Sequence, residues 1–218
     1  MALKTVDDLI KAFREDEKDN VEPYFWSNNQ LLRWTNEALT EFAERSLSIY
    51  DDESPVTLIP YGIGDDRFVL DTCIIDVKDV WIEGPPRRHL LRSHSSLARG
   101  RRYGNESCGC SSYYHFDGAG QLRIHPKPST AGALRLRIVR RLVRDVEKCD
   151  KVPDLLPQDV RHLLSYIAYK AYRVNDAETY NKGSSDEHLA LFESACQDTL
   201  EKSILRRGDC RRPVRSHF

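Results

Sequence analysis

The sequence predicts an α+β fold, mainly α, in which a bundle of about four helices carries an inserted block of short antiparallel β-strands between its second and third helices. Apolar residues recur at helical spacing near both ends of the 218-residue chain. In the middle, short runs of alternating apolar and polar side chains are bounded by Gly, Pro and Asp. We therefore expect a helical domain over residues 1–53 and 151–205, an inserted strand region over 54–150, and a flexible basic tail over 206–218.

Two helices are predicted before the strands, over residues 5–17 and 26–50. Each begins with a capping box, in which an N-cap hydroxyl and a side chain three residues later satisfy backbone N–H groups of the first turn. The two pairs are Thr5 with Asp8 and Ser27 with Gln30. The second helix has a wide apolar stripe that must be buried, because an isolated helix of this length is marginal in water. The stripe consists of Leu31, Trp34, Ala38, Leu39, Phe42 and Ala43.

Six short strands are predicted in the central region, two pairs of them as hairpins around turn-rich sequence. The hairpins join 56–59 to 67–70 and 113–116 to 121–125, and the other strands cover 74–82 and 134–143. Leu134, Leu136 and Ile138 alternate with Arg135 and Arg137, which is typical of a half-buried strand.

Between the strands, residues 87–112 are rich in Arg, Ser and Gly and are predicted to form a long basic loop, with one helical turn at 95–99.

Two more helices are predicted after the strands. The first covers 157–175, with Pro157 at the first helical position, and the second begins with a capping box of Ser184 and Glu187 and ends near Leu205. Residues 206–218 carry five arginines and no apolar face, so they have nothing to bury.

Charge is unevenly distributed, although 33 Lys and Arg nearly balance 34 Asp and Glu. Residues 1–53 hold thirteen acidic and six basic side chains, whereas residues 85–144 hold thirteen basic and two acidic ones. Such a dipole suits a protein that stacks head to tail on copies of itself, or one that turns a basic face toward an anion. Two solvated faces of opposite sign are the simpler alternative.

No motif for catalysis, cofactor binding or metal binding is present in the sequence. A P-loop, a nucleophile elbow and H-E-x-x-H are all absent. The pairs His162 with Asp159 and Glu187 with His188 are conceivable acid–base pairs, but both lie in ordinary helical sequence, which favours a solvated helix face. The six cysteines lack the spacing of a disulfide framework or zinc site, and the role of Cys108 and Cys110 is open. We expect no enzyme activity, no cofactor and no metal. The acidic N-terminus and the lack of a long apolar run predict a soluble protein made inside a cell, without contact to membrane.

Several sequence segments, in this order, resemble the head–tail connector proteins of tailed bacteriophages, also called adaptor or head-completion proteins. The resemblance covers about residues 24–200. Its segments are W-S-x-x-x-L-L-R-W-x-N-E-A-L from Trp26, F-V-L-D from Phe68, I-x-D-V-x-D-V-W from Ile74, D-G-x-G-x-L-R-I-x-P-x-P from Asp117, L-x-L-R-I-V-R-R from Leu134, and P-D-L-L-P-x-x-V-R-H-L-L-x-Y-I-A-Y-x-A-Y from Pro153.

This resemblance implies a structural virion protein of the phage neck, assembled in the host cytoplasm. Its members form a ring, usually of twelve, under the portal protein, where they extend the channel for double-stranded DNA and give the tail or a second neck protein a docking surface. The C-terminal segment tends to bind the portal, and here the candidate residues are Arg206, Arg207, Arg211, Arg212, Arg215 and Phe218. Alternatively, the five arginines of this segment line the DNA channel.

Basic residues of the central region are candidates for a subunit interface in the ring or for the lining of the DNA channel. They are Arg87, Arg88, Arg92, Arg99, Arg101, Arg102, Arg135 and Arg137. The alternative function is a nucleic-acid-binding protein that uses the basic region 87–144, although no known reader motif accompanies these charges.

Overall fold

The computed structural model describes residues 3–84, 89–93, 108–152, 155–176 and 179–206. Within them the helices are α1 Val6–Asp16, α2 Asn28–Ser46, α3 Pro157–Val160, α4 His162–Ala171 and α5 Lys182–Arg206. The strands are β1 Tyr50–Asp51, β2 Leu58–Tyr61, β3 Arg67–Val69, β4 Ile74–Glu83, β5 His89–Leu90, β6 Arg92–Ser93, β7 Cys108–Gly109, β8 Tyr113–Phe116, β9 Gln121–His125, β10 Lys127–Pro128 and β11 Gly132–Arg140.

Helices account for 39% and strands for 26% of the structure, so the predicted α+β class is confirmed. The prediction that the fold is mainly α is not confirmed, because β4 and β11 are long strands of ten and nine residues. The chain divides into two compact units: a helical unit with the residues up to Ser48 and from Leu142 onward, and a strand unit from Ile49 to Arg141.

The helical unit is built around one apolar core to which all its long helices contribute. Phe42 of α2, Leu163 of α4 and Phe192 of α5 are fully buried, and the Phe42 and Phe192 rings lie 6.1 Å apart. The capping boxes predicted at Thr5 and Ser27 are both present, each with its reciprocal hydrogen bonds. Local sequence therefore determines where α1 and α2 begin.

Two helix ends differ from the prediction. Helix α2 stops at Ser46 rather than at Tyr50, since Leu47 takes a left-handed conformation with φ 50° and its N–H bonds the Ala43 carbonyl. Helix α5 begins at Lys182, and Asn181 caps it by accepting a hydrogen bond from the Ser184 N–H at 3.1 Å. The predicted cap at Ser184 is wrong because Asn181, three residues earlier, takes that role.

Two antiparallel-rich sheets form the strand unit. The larger has β1, β11, β4 and β5 in that order, with β2 also paired to β11, and the smaller has β3, β9, β8 and β6. A separate parallel pair joins β7 to β10. The inner faces of the larger and the smaller sheet contribute to one core, in which Leu122, Leu134 and Leu136 are fully buried. The predicted alternation of β11 is confirmed, as is the hairpin of β8 and β9.

The predicted hairpin of 56–59 with 67–70 is wrong. Strand β2 pairs with β11, whereas β3 pairs with β9, so the two belong to different sheets. The connection between them is tied elsewhere, because the Gly64 N–H donates to the Pro128 carbonyl at 2.9 Å. Of the predicted loop 87–112, short pieces pair as β5, β6 and β7, and the turn predicted at 95–99 lies outside the described residues.

Candidate assembly surfaces

Within the described residues, no group of three or more His, Cys, Asp or Glu side chains could hold a metal ion. The thiols of Cys73 and Cys196 are buried, and burial raises their pKa to about 11 and about 12 respectively, which suppresses the thiolate at neutral pH. Cys110 and Cys149 are free and exposed, and the Cys108 side chain lies outside the described part.

Asp159, a member of one conceivable acid–base pair, does not lie on the solvated helix face expected from the sequence. It is buried near the start of α3, and its carboxylate accepts a hydrogen bond at 3.5 Å from the Thr199 hydroxyl of α5. This contact joins two helices of the core.

Arg135 and Arg137, two of the sequence candidates, lie on the outer face of the larger sheet opposite carboxylates of β4. The Arg135 Nε lies 3.2 Å from Glu83 Oε1, and the same guanidinium donates to the Thr57 hydroxyl at 3.1 Å. Arg137 is more exposed and lies 3.9 Å from Asp79. The larger sheet thus supplies counter-charges for its own arginines.

A third arginine of this sheet, Arg140, pairs with Asp51 of β1 in a nearly buried contact of 2.5 Å between Nε and Oδ2. Burial alone would raise the pKa of Asp51. Hydrogen bonds from Ser54 and from the Arg140 guanidinium outweigh it and lower the pKa to about 2. The carboxylate is therefore held ionised against the arginine.

The outer face of the smaller sheet is different. The register sets Arg67 of β3 opposite Arg123 of β9, which in turn lies opposite His115 of β8. The parallel pairing of β6 places Arg92 beside Tyr113 on the same face. Arg67, Arg92 and Arg123 are exposed and make no side-chain ion pair with another described residue. This set of four cationic or titratable side chains is here called the basic face.

Of the basic face, only Arg92 is among the candidate residues predicted from the sequence. The signal for the others was present, since Arg67 and Arg123 alternate with buried residues in their strands. What could not be seen was the pairing of β3 with β9, because β3 was assigned to a hairpin with β2. The strand partner, rather than the strand itself, brings these arginines together.

Comparison with known protein families supplies the identity. A family model described as SU10 adaptor protein matches residues 4–216, nearly the whole chain. The chain belongs to this family of phage head–tail adaptors. The predicted resemblance is thereby confirmed, and the adaptor is a structural component of a phage virion. No curated protein sequence matches it.

No helix in the described part of the adaptor has the length and apolar character needed to cross a membrane. Of the remaining sequence candidates, Arg206 is the last residue of α5. The others fall outside the described residues: Arg87, Arg88, Arg99, Arg101, Arg102, Arg207, Arg211, Arg212, Arg215 and Phe218.

Proposed function

We propose that the adaptor assembles as a closed ring, of twelve copies by resemblance to head–tail connectors, beneath the portal of the filled capsid. There it extends the DNA channel and joins the capsid to the tail or to a second neck protein. The observation that carries this proposal is the family match over residues 4–216. In this role the adaptor is a purely structural protein of the virion neck, without catalytic turnover or cofactor.

A ring in which each subunit contacts two neighbours needs two different complementary surfaces on every copy. The chain supplies surfaces of opposite charge, because its first 53 residues are acidic and residues 85–144 are basic. We assign the basic residues to the interface between subunits or to the channel wall. This assignment includes those in the range 87–102 and the pair Arg135 and Arg137.

The portal contact is assigned to residues 206–218, with their five arginines and terminal Phe218. A basic segment with an aromatic end fits an acidic, partly apolar groove on a partner. Guanidinium groups recognise carboxylates in a bidentate manner, and an aromatic ring buries a large apolar area. Fixing such a segment costs conformational entropy, which a specific partner offsets.

Truncation after residue 205 tests the portal contact. The expected result is a protein with an unchanged circular dichroism spectrum and melting temperature that no longer co-purifies with portal assemblies. A full-length variant with Arg211, Arg212 and Arg215 changed to Gln is the matched control, since it keeps the chain length and removes three charges. We expect it to bind weakly and to lose binding further as salt is raised. Undiminished portal binding by the truncated protein would overturn this assignment.

The competing role in nucleic-acid binding predicts a different pattern. If residues 206–218 line the channel instead, truncation leaves portal attachment intact and impairs only genome retention. If the basic region 87–144 binds DNA as its main function, the isolated adaptor binds short duplex DNA with an affinity that falls steeply with salt. Fluorescence anisotropy with labelled duplex over a range of salt concentrations measures this directly.

A further inference from the structure

The basic face of the smaller sheet carries an internal electrostatic cost. Residues directly opposite one another on antiparallel strands are near neighbours, and like charges there are destabilising. Arg67 of β3 lies directly opposite Arg123 of β9. The outward positions of β3, β9, β8 and β6 include no carboxylate. An anionic group docked between these side chains would remove the repulsion.

An apolar side chain lies next to this charge. Val69 of β3 follows Arg67 on the same face and is 87% exposed. The basic face is therefore matched best by a partner surface that presents carboxylates together with apolar groups.

The last turn of α1 and the connection that follows it to α2 have that composition. Glu15, Asp16 and Glu22 are exposed and make no side-chain ion pair with another described residue. Val21 is 79% and Phe25 55% exposed beside them. These five residues are here called the acidic loop.

The acidic loop also carries a local cost. Glu15 and Asp16 lie in the last turn of α1, where the helix dipole is negative and carboxylates are unfavourable. Like Arg67 and Arg123 of the basic face, these two carboxylates make no ion pair with another described residue.

A buried ion pair holds the acidic loop in place. Arg14 pairs with Asp19, and the two side chains are only 8% and 1% exposed. Arg14 also donates to the Trp26 carbonyl at 2.8 Å, and Asp19 accepts from the Phe25 N–H at 2.8 Å. The guanidinium lies 3.8 Å from the centre of the Tyr24 ring. A loop fixed in this way loses little conformational entropy on binding.

We propose that the basic face of one adaptor binds the acidic loop of a second copy. This inference rests on the ring assembly proposed above and names one pair of surfaces at the interface between neighbours. The contact is heterologous, since each copy offers its loop to one neighbour and its sheet to the other. Val21 and Phe25 supply apolar partners for Val69, which a phosphate backbone does not offer, so a second copy fits this face better than DNA does.

Charge reversal on each surface tests the proposal. The first variant carries Arg67→Glu and Arg123→Glu, and the second carries Glu15→Lys and Glu22→Lys. All four side chains are exposed, so both proteins are expected to fold, which circular dichroism and thermal melting check. Each variant alone should self-associate at least about a hundredfold more weakly than wild type, because like charges then meet at every interface. Sedimentation velocity, alone and on portal assemblies, measures the association.

Mixing the two variants gives the decisive result. The reversed face of the first complements the reversed loop of the second, and the two unaltered surfaces complement each other. An equimolar mixture should therefore assemble, with the two variants alternating. The matched control carries Lys182→Glu and Lys202→Glu, which reverses two exposed charges of α5 that make no ion pair with another described residue, and should assemble like wild type.

The possible failures are distinct. If the first variant assembles by itself, or if the mixture of the two variants does not assemble, the pairing of these two surfaces is wrong. The proposed function still stands in that case, provided that the wild-type protein forms a ring. A wild-type protein that stays monomeric even with portal would overturn both. Loss of duplex-DNA binding in the first variant, with its self-association intact, would identify DNA as the ligand of the basic face and refute the second-copy proposal.

Discussion

The larger and the smaller sheet of the strand unit bury their inner faces in one core, yet the arginines on their outer faces have opposite surroundings. On the larger sheet, Arg135 and Arg137 face carboxylates of the adjoining strand. On the smaller sheet, Arg67 faces Arg123. The register of the strands, and not the number of basic residues, decides which arginines are already neutralised. A high local count of arginines therefore does not reveal which of them lack a counter-charge, whereas the strand register does.

Removing the most deeply held arginine of the larger sheet should have the largest effect. Arg140→Leu leaves Asp51 nearly buried without its partner, so the free energy of unfolding should fall by about 3–5 kcal/mol. Arg123→Leu, the matched change on the smaller sheet, should change it by no more than about 0.5 kcal/mol. Urea unfolding followed by circular dichroism measures both. Equal losses in the two variants would mean that the sheets do not differ as described.

Acid should act on the larger sheet through the same pair. The folded-state pKa of Asp51, about 2, lies below its ordinary value of 3.8. Its ionised form is favoured by folding, so the stability it adds is complete above that ordinary value and is lost as the pH falls toward 2. In Asp51→Asn the free energy of unfolding should therefore fall less steeply between pH 4 and 2, whatever its absolute level. If the free energy of unfolding falls equally steeply in both proteins between pH 4 and 2, this role of Asp51 is wrong.

The smallest effects should have opposite signs on the two sheets. Arg135→Thr removes the ion pair with Glu83 and the hydrogen bond to Thr57, at a cost of about 1 kcal/mol. Arg67→Thr removes one of two like charges and introduces a residue well suited to strands, which should stabilise the strand unit by about 0.3 kcal/mol. Thermal melting of the two variants gives the comparison, and a lower melting temperature for Arg67→Thr would count against repulsion across the basic face.

The sequence predicted those features of the fold that depend on neighbours in the chain. The capping boxes at Thr5 and Ser27 and the turn between β8 and β9 each involve residues only a few positions apart. The alternation of β11 was visible because one of its faces is fully buried. These parts could be derived because local geometry and burial pattern specify them together.

Features that depend on distant partners could not be derived. Both Asn181 and Ser184 are good N-caps, and the choice is consistent with a tertiary contact: Ser185 is fully buried inside α5, where its hydroxyl donates to the Tyr169 carbonyl at 3.0 Å. The predicted pairing of β2 with β3 was wrong for the same reason, since each strand pairs with one that lies far away in the sequence. The basic face was consequently missed, because it exists only once β3 and β9 are side by side.

The first and last strands of the strand unit, β1 and β11, pair with each other, with Tyr50 opposite Val139 and the Arg140 N–H bonded to the Ile49 carbonyl at 3.1 Å. The polypeptide thus enters and leaves this unit at adjacent positions, so Ile49–Arg141 forms a single insertion in the sequence of the helical unit. We expect that such an insertion can be removed and the gap closed by a few residues, or exchanged for one with different outer faces. Recombination between phages at these two adjacent positions would exchange the strand unit, and with it its outer faces, and would leave the core residues of the helical unit unchanged.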